Sequence, residues 1–179
     1  MKRVSDEVLV ADEAIVRVDR GLAAELQRGA TANPRRRMRL CAHAAVDDPL
    51  HEMVIALAKE TYIRPHMHPG KSESMHVIDG EADLVTFDEH GEVSEVIHLG
   101  SYGSGKTFFT RMAAPRYHML LVRSDVLVVH ETTNGPFRPD DTVFGPWAPD
   151  GADPEACGTF MARIERAIAA RHRSAGKDA

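Results

Sequence analysis

Residues 64–80 read RPHMHPGKSESMHVIDG, with His66, His68 and Glu73 crowded ahead of an alternating apolar run. Imidazole nitrogen and carboxylate oxygen are the donors that borderline divalent ions prefer. Side chains two apart on a strand project to one face, so His66 and His68 form a pincer. Pro69, Gly70 and Lys71 let the chain turn, and Glu73 opens the next strand, sharing a face with Met75 and Val77. If that face is the inner one, three ligand atoms converge. A fourth donor is available in YHMLLV (117–122), where His118, Leu120 and Val122 make the inward row of a later strand. Three neutral imidazoles and one carboxylate suit one divalent transition metal, Mn, Fe, Co, Ni or Zn, because nitrogen ligands disfavour Mg and Ca. Such a set leaves octahedral positions open to water, to a bidentate oxygenated substrate or to dioxygen.

Other polar groups surround this set in the sequence. Tyr62 and Arg64 share strand parity with the two histidines, Tyr62 as a proton carrier and Arg64 as a holder of an anionic group. Arg116 has the parity of His118, and Lys71 sits in the turn as a mobile acid or anion clamp. His43 offers a further imidazole to the cavity, against the plainer reading of a strand histidine satisfied by a backbone carbonyl. Trp147, in FGPWAP, is expected to pin a coil to the core.

These groups need elements to hold them. From Met38 onward the chain runs in short segments rich in Val, Ile, Leu and Thr, from MRLCAH and EMVIALA through SMHVIDG, EADLVTFD and EVSEVIHL to HMLLVRS and DVLVVHE. Turn signals such as DDP, HPGK, DEHGE and RSD separate them, and no intervening segment is long and periodic enough for a crossover helix. An all-β antiparallel sandwich or barrel follows over 36–135. Residues 1–35 form an N-terminal helical extension in which Leu22 and Leu26 share a face and Gly29 closes the helix. Residues 136–179 begin as a wrapping coil dense in Pro, Gly and Asp, then become a C-terminal helix with Phe160, Ile164 and Ile168 on one face.

The 179 residues suit one core, and a formal charge of −5 gives no electrostatic reason to expect nucleic acid. No stretch has the roughly 18 apolar residues of a membrane span, and the start lacks a signal peptide's apolar core. With two cysteines, Cys41 and Cys157, far apart, a reducing cytoplasm is expected. GSYGSGKT (100–107) fits the phosphate-cradling G-x4-G-K-[ST] pattern, but Pro115 arrives too soon for the helix such a loop requires, so a hairpin loop is expected. The Met38–His43 run is a plausible sheet edge, and a homodimer is expected from it.

PHMHPGKSESMHVIDG resembles the first motif of the cupins, H-x-H-x4-E-x6-G, with His66, His68, Glu73 and Gly80 in register. TYIRPHMHPGKSE, TFDEHGEV and FGPWAP together are similar to the WbuC family of cupin-fold metalloproteins over roughly residues 36–157. The resemblance implies a cupin double-stranded β-helix, a jelly-roll sandwich, and a metal on the ligands already named. It also implies a link to bacterial surface-polysaccharide gene clusters. Of the second cupin motif only His118 is kept: Ala113, Pro115 and Val122 stand where the family has Pro, Gly and Asn, and Glu60 stands for a Gly before the first motif. The expected function is metal-dependent chemistry on a small oxygenated molecule, a sugar or sugar nucleotide, of isomerase, epimerase or lyase type or as an iron-dependent oxygenase. The alternative is a non-catalytic module that captures a sugar or anion on the same ion.

Overall fold

In the computed structural model, which describes residues 1–175, the alternating segments pair into two sheets. The elements in chain order are β1 (Lys2–Arg3), β2 (Val8–Val10), α1 (Arg20–Ala32), β3 (Arg37–Cys41), β4 (Leu50–Ala58), β5 (His66–Met67), β6 (Glu73–Asp79) and β7 (Glu81–Phe87), then β8 (Val93–Gly100), β9 (Phe109–Met112), β10 (Tyr117–Val122), β11 (Val126–Asn134), β12 (Val143–Phe144) and α2 (Pro154–Ala175). The first sheet has the order β1-β2-β3-β4-β11-β6-β9 and the second the order β12-β5-β10-β7-β8. Within them, β4-β11-β6-β9 facing β5-β10-β7-β8 is the strand order of a jelly roll, in which successive strands alternate between the two sheets except at the β7–β8 hairpin. The named strands pair antiparallel except β2 with β3. The strand-rich middle of the chain is thus the jelly roll that its turn signals predict.

Three apolar layers follow from this stacking. Between the sheets lie Leu57, Met75, Val77, Leu84, Leu120, Leu127 and Val129. On the outer side of the first sheet, Leu22, Leu26 and Ala30 of α1 pack on Met38, Leu40, Val54, Ala56 and Val128. On the outer side of the second, Phe160, Ile164 and Ile168 of α2 pack on Val85, Phe87, Met119 and Leu121. Strands covered on both faces lose the alternation of a half-exposed sheet, which is why β7 is buried at nearly every position.

Two local expectations change. Gly29 does not close α1, which continues to Ala32 and ends at Asn33 before Pro34. A Cβ at Gly29 would lie 2.0 Å from Met38 Sδ, so this glycine permits close helix–sheet approach rather than a stop. At the other end Asp19 Oδ1 accepts from the Leu22 amide at 3.0 Å, an N-cap the apolar spacing does not reveal. The Pro- and Gly-rich stretch after Asn134 is mostly coil as expected, with one 3-10 turn at Pro139–Asp141 and a short strand, Val143 and Phe144, beside β5. Trp147 pins this coil: it stacks on Phe160 at 6.1 Å, its Nε1 donates to Glu89 O at 3.2 Å, and its ring fills the space over Gly91.

The glycine-rich 100–107 segment is the β8–β9 connection, with Lys106 paired to Glu81, and strand β9 follows it instead of a helix. Among the described residues, no helix is long and apolar enough to cross a membrane. Residues 176–179 of the C-terminal region lie outside the described residues.

Candidate metal centre

His66 pairs directly with His118 across the β5–β10 ladder, while His68 follows β5 and Glu73 opens β6 in the opposite sheet. The cluster therefore assembles across the sandwich, at the end where the two sheets are bridged by the 69–72 turn. One ring nitrogen from each of His66, His68 and His118 lies within 4.8 Å of the others. Glu73 Oε2 is 3.3 Å from His68 Nε2, and its Oε1 is 3.6 Å from His118 Nε2. Glu73 and His118 are buried.

The ring orientations decide what these nitrogens can do. His66 Nδ1 lies 2.8 Å from Arg64 O, His68 Nδ1 3.1 Å from Asp141 O, and His118 Nδ1 2.9 Å from Arg116 O. A carbonyl only accepts, so each Nδ1 carries the proton and each neutral ring presents its Nε2 lone pair. Backbone carbonyls thus hold the tautomer and the ring orientation, the arrangement typical of metal-binding imidazoles. Two such lone pairs facing Glu73 at 3.3 and 3.6 Å repel its carboxylate unless something positive lies between them.

The protonation tendencies say the same. Burial, reinforced by His118, pushes the His66 pKa down to about 4, so this ring stays neutral at physiological pH. Glu73 raises the His68 pKa, mainly through a hydrogen bond that outweighs burial. For Glu73 itself burial favours the neutral acid, but His118 and His68 overcome it and hold the carboxyl well below the usual carboxylate range. A proton on Nε2 takes the place of a cation beside Glu73. Three nitrogens and one carboxylate oxygen with fixed tautomers fit a borderline divalent ion.

The jelly-roll strand order and the meeting of His118 with the His66/His68/Glu73 motif decide the fold. It is a cupin.

A model of a domain of unknown function, DUF6016, matches residues 18–99, which run from α1 through most of β8. No curated protein matches the chain. Solved structures with a similar arrangement include a protein from Shewanella oneidensis (14% identity, 58% of this chain and 68% of that one, TM-score 0.46). Another is the capsular polysaccharide assembling protein CapF from Staphylococcus aureus (18%, 60% and 31%, TM-score 0.46). A third is an oxalate oxidase in complex with the substrate analogue glycolate (15%, 69% and 62%, TM-score 0.49). The chain spans about a third of the length of CapF.

Several residues expected at the cupin centre are elsewhere or otherwise engaged. Tyr62 lies on the far side of the second sheet, its hydroxyl donating to Pro149 O at 2.8 Å and its ring edge-on to Phe160 at 6.4 Å. Its parity with His66 fails because residues 61–65 are not strand, so alternation does not carry across them. Tyr62→Phe is expected to leave metal content unchanged and to cost about 1 kcal/mol in denaturant unfolding, the scale of one lost hydrogen bond. Lys71 is not a mobile acid. Its Nζ lies 2.9 Å from Asp141 Oδ2 and donates to Pro136 O at 2.8 Å, which ties the turn to the coil whose Asp141 carbonyl orients His68.

Arg64 stands beside the cluster, its guanidinium stacked 4.8 Å above the Phe144 ring, which itself lies 6.3 Å from the His66 ring. Its buried Nε has no hydrogen-bond partner. Arg116 contributes its carbonyl to His118, while its side chain is exposed. His43 stacks on His51 at 3.9 Å, with its Nδ1 against the Glu52 backbone. His51 is in register with Thr133, which in turn opposes Glu73, so the stacked pair is two strands away from the ligand set.

Glu131 is the residue that the sequence reading passes over. It shares strand parity with Leu127 and Val129, whose apolar character marks the inner face, and that parity is the signal that finds it. Burial and the nearby Glu73 charge push its pKa up to about 8.

Proposed function

We propose that this cupin is a metal-dependent enzyme acting on a small oxygenated molecule, a sugar or sugar nucleotide, by isomerase, epimerase or lyase chemistry, with an iron-dependent oxygenase as the variant. The observation that carries the proposal is the cluster of three carbonyl-locked imidazoles, two of which turn Nε2 toward the Glu73 carboxylate. His66, His68, Glu73 and His118 hold one divalent ion of the Mn, Fe, Co, Ni or Zn group. When bound, the ion polarises a carbonyl or gathers adjacent oxygens of the substrate. Arg64, stacked on Phe144 and without a carboxylate partner among the described residues, binds an anionic part of the substrate such as a phosphate. The WbuC-like resemblance agrees with a saccharide substrate of this charge.

Protein purified without a metal-affinity tag is expected to carry about one transition-metal ion per chain by elemental analysis. A screen of sugar nucleotides under air and under argon separates isomerisation from oxygenation, because only the latter consumes dioxygen. A chain that binds none of these ions contradicts the proposal.

Proton competition sets a direction with pH. His68 has a raised pKa and is protonated before His66, which at about 4 keeps its lone pair to lower pH. Metal binding displaces these protons, so affinity is greatest above the His68 pKa and decreases as pH drops through it. Metal retained after dialysis should be high at about pH 8 and low at about pH 4, and equal retention at both would contradict imidazole ligation.

A further inference from the structure

The proposed ligand set leaves one inward acid unused. On β11, Leu127, Val129, Glu131 and Thr133 alternate toward the second sheet, and Leu127 and Val129 are fully buried there. Across the β11–β6 ladder Glu131 faces Met75, with Glu73 one step along the diagonal. Long side chains on neighbouring strands span that diagonal. On the other flank Glu131 faces Met53 of β4. Its carboxyl makes no hydrogen bond and no ion pair among the described residues. Glu131 is half-buried between these methionines, and an acid with no bonded partner in such a place costs stability. An acid kept at that cost beside a ligand set is the signature of a working group rather than a packing one.

We propose that Glu131 is the proton-transferring residue of this site and that the substrate is an α-hydroxy carbonyl compound, the open form of an aldose or ketose, whose carbon-bound proton Glu131 removes and returns. This rests on the metal-centre reading. The bond that breaks is the C–H next to the carbonyl. Its proton passes to the Glu131 carboxylate, its electron pair forms the C=C of an enediolate, and the carbonyl pair moves onto oxygen. Glu131 then gives the proton to the neighbouring carbon while the hydroxyl proton passes to the former carbonyl oxygen, which converts aldose to ketose without any oxidant or reductant. With no hydrogen bond or ion pair among the described residues, the Glu131 carboxyl is not tied away from the substrate, while the more distant His68 and Arg39 favour its ionised form.

The test uses the metal-containing protein in D2O with D-glyceraldehyde and dihydroxyacetone as probes, following hydrogen–deuterium exchange at carbon by NMR. Wild-type protein is expected to exchange above the buffer rate, and Glu131→Gln to exchange about a hundredfold more slowly. Its metal content should stay the same and its thermal midpoint equal or higher. Glu131→Asp, which keeps an acid on a shorter stem, should retain part of the exchange. The proposal is overturned by a Glu131→Gln variant that exchanges like wild type, by its loss of metal, or by absence of exchange in metal-containing wild-type protein. Wild-type protein that binds no metal instead defeats the reading of the centre itself, before any exchange is measured.

Discussion

His118→Ala is expected to weaken metal binding by more than about a hundredfold, beyond the scale reached by changing groups that merely orient a ligand. His118 is the proposed ligand from the far strand. It sits opposite His66 in the β10–β5 ladder, presents Nε2 to Glu73 at 3.6 Å, and is 4% exposed. Without it His66 and His68 remain on one side and Glu73 faces them with an incomplete set. The fold should survive, because β10 pairs with β7 from Tyr117 to Val122 through backbone bonds that do not involve the imidazole. Elemental analysis together with circular dichroism checks both halves. A folded His118→Ala protein with wild-type metal content would remove His118 from the ligand set. His66→Ala should behave alike, whereas Tyr62→Phe should not.

Gly80→Ala is expected to cost about 2–4 kcal/mol of stability, combining left-handed backbone strain with a backbone clash. Gly80 turns the chain from β6 into β7 at φ +83. A Cβ there would lie 2.4 Å from Val126 O and 3.1 Å from Leu127 Cα, at the start of β11. Val126 O already accepts from Ser124 Oγ at 2.8 Å, so the neighbour that would have to move is bonded backbone. Gly70 supplies the control. It has φ +75 but nothing within 4 Å of a Cβ, so Gly70→Ala should show the conformational cost alone, about 1 kcal/mol. Urea unfolding of the two variants separates the terms through their midpoints. Equal losses at both glycines would mean that the Val126 contact relaxes freely.

These glycines also show where local reading stops. In the sequence Gly80 is the last residue of a motif, and only the packed β11 shows why nothing larger fits beside it. Gly29 reads as a helix stop, because a glycine near the end of an apolar period usually is one. The sheet approaching at Met38 gives it a different use. Tyr62 and Glu131 form a similar pair. The period-two rule assigns Tyr62 to the ligand face across a segment that is not strand, and the same rule, applied along β11, points to Glu131.

What the amino-acid sequence determined by itself was periodic or close in the chain. This covers the strand-rich middle with its turns, the apolar faces of α1 and α2, the pairing of His66 with His68 on one side, and the donor chemistry of His66, His68, Glu73 and His118. What only the tertiary structure decided was sidedness and company: that β5 lies beside β10 and β6 beside β11, that Asp141 engages Lys71 through its side chain and His68 through its carbonyl, and that Glu131 makes no hydrogen bond or ion pair among the described residues. The physical reason is that a strand's alternation is set by its own backbone, whereas the face that becomes interior depends on which distant strand and helix cover it. That choice is made by burial of the whole chain and leaves no trace at a single residue.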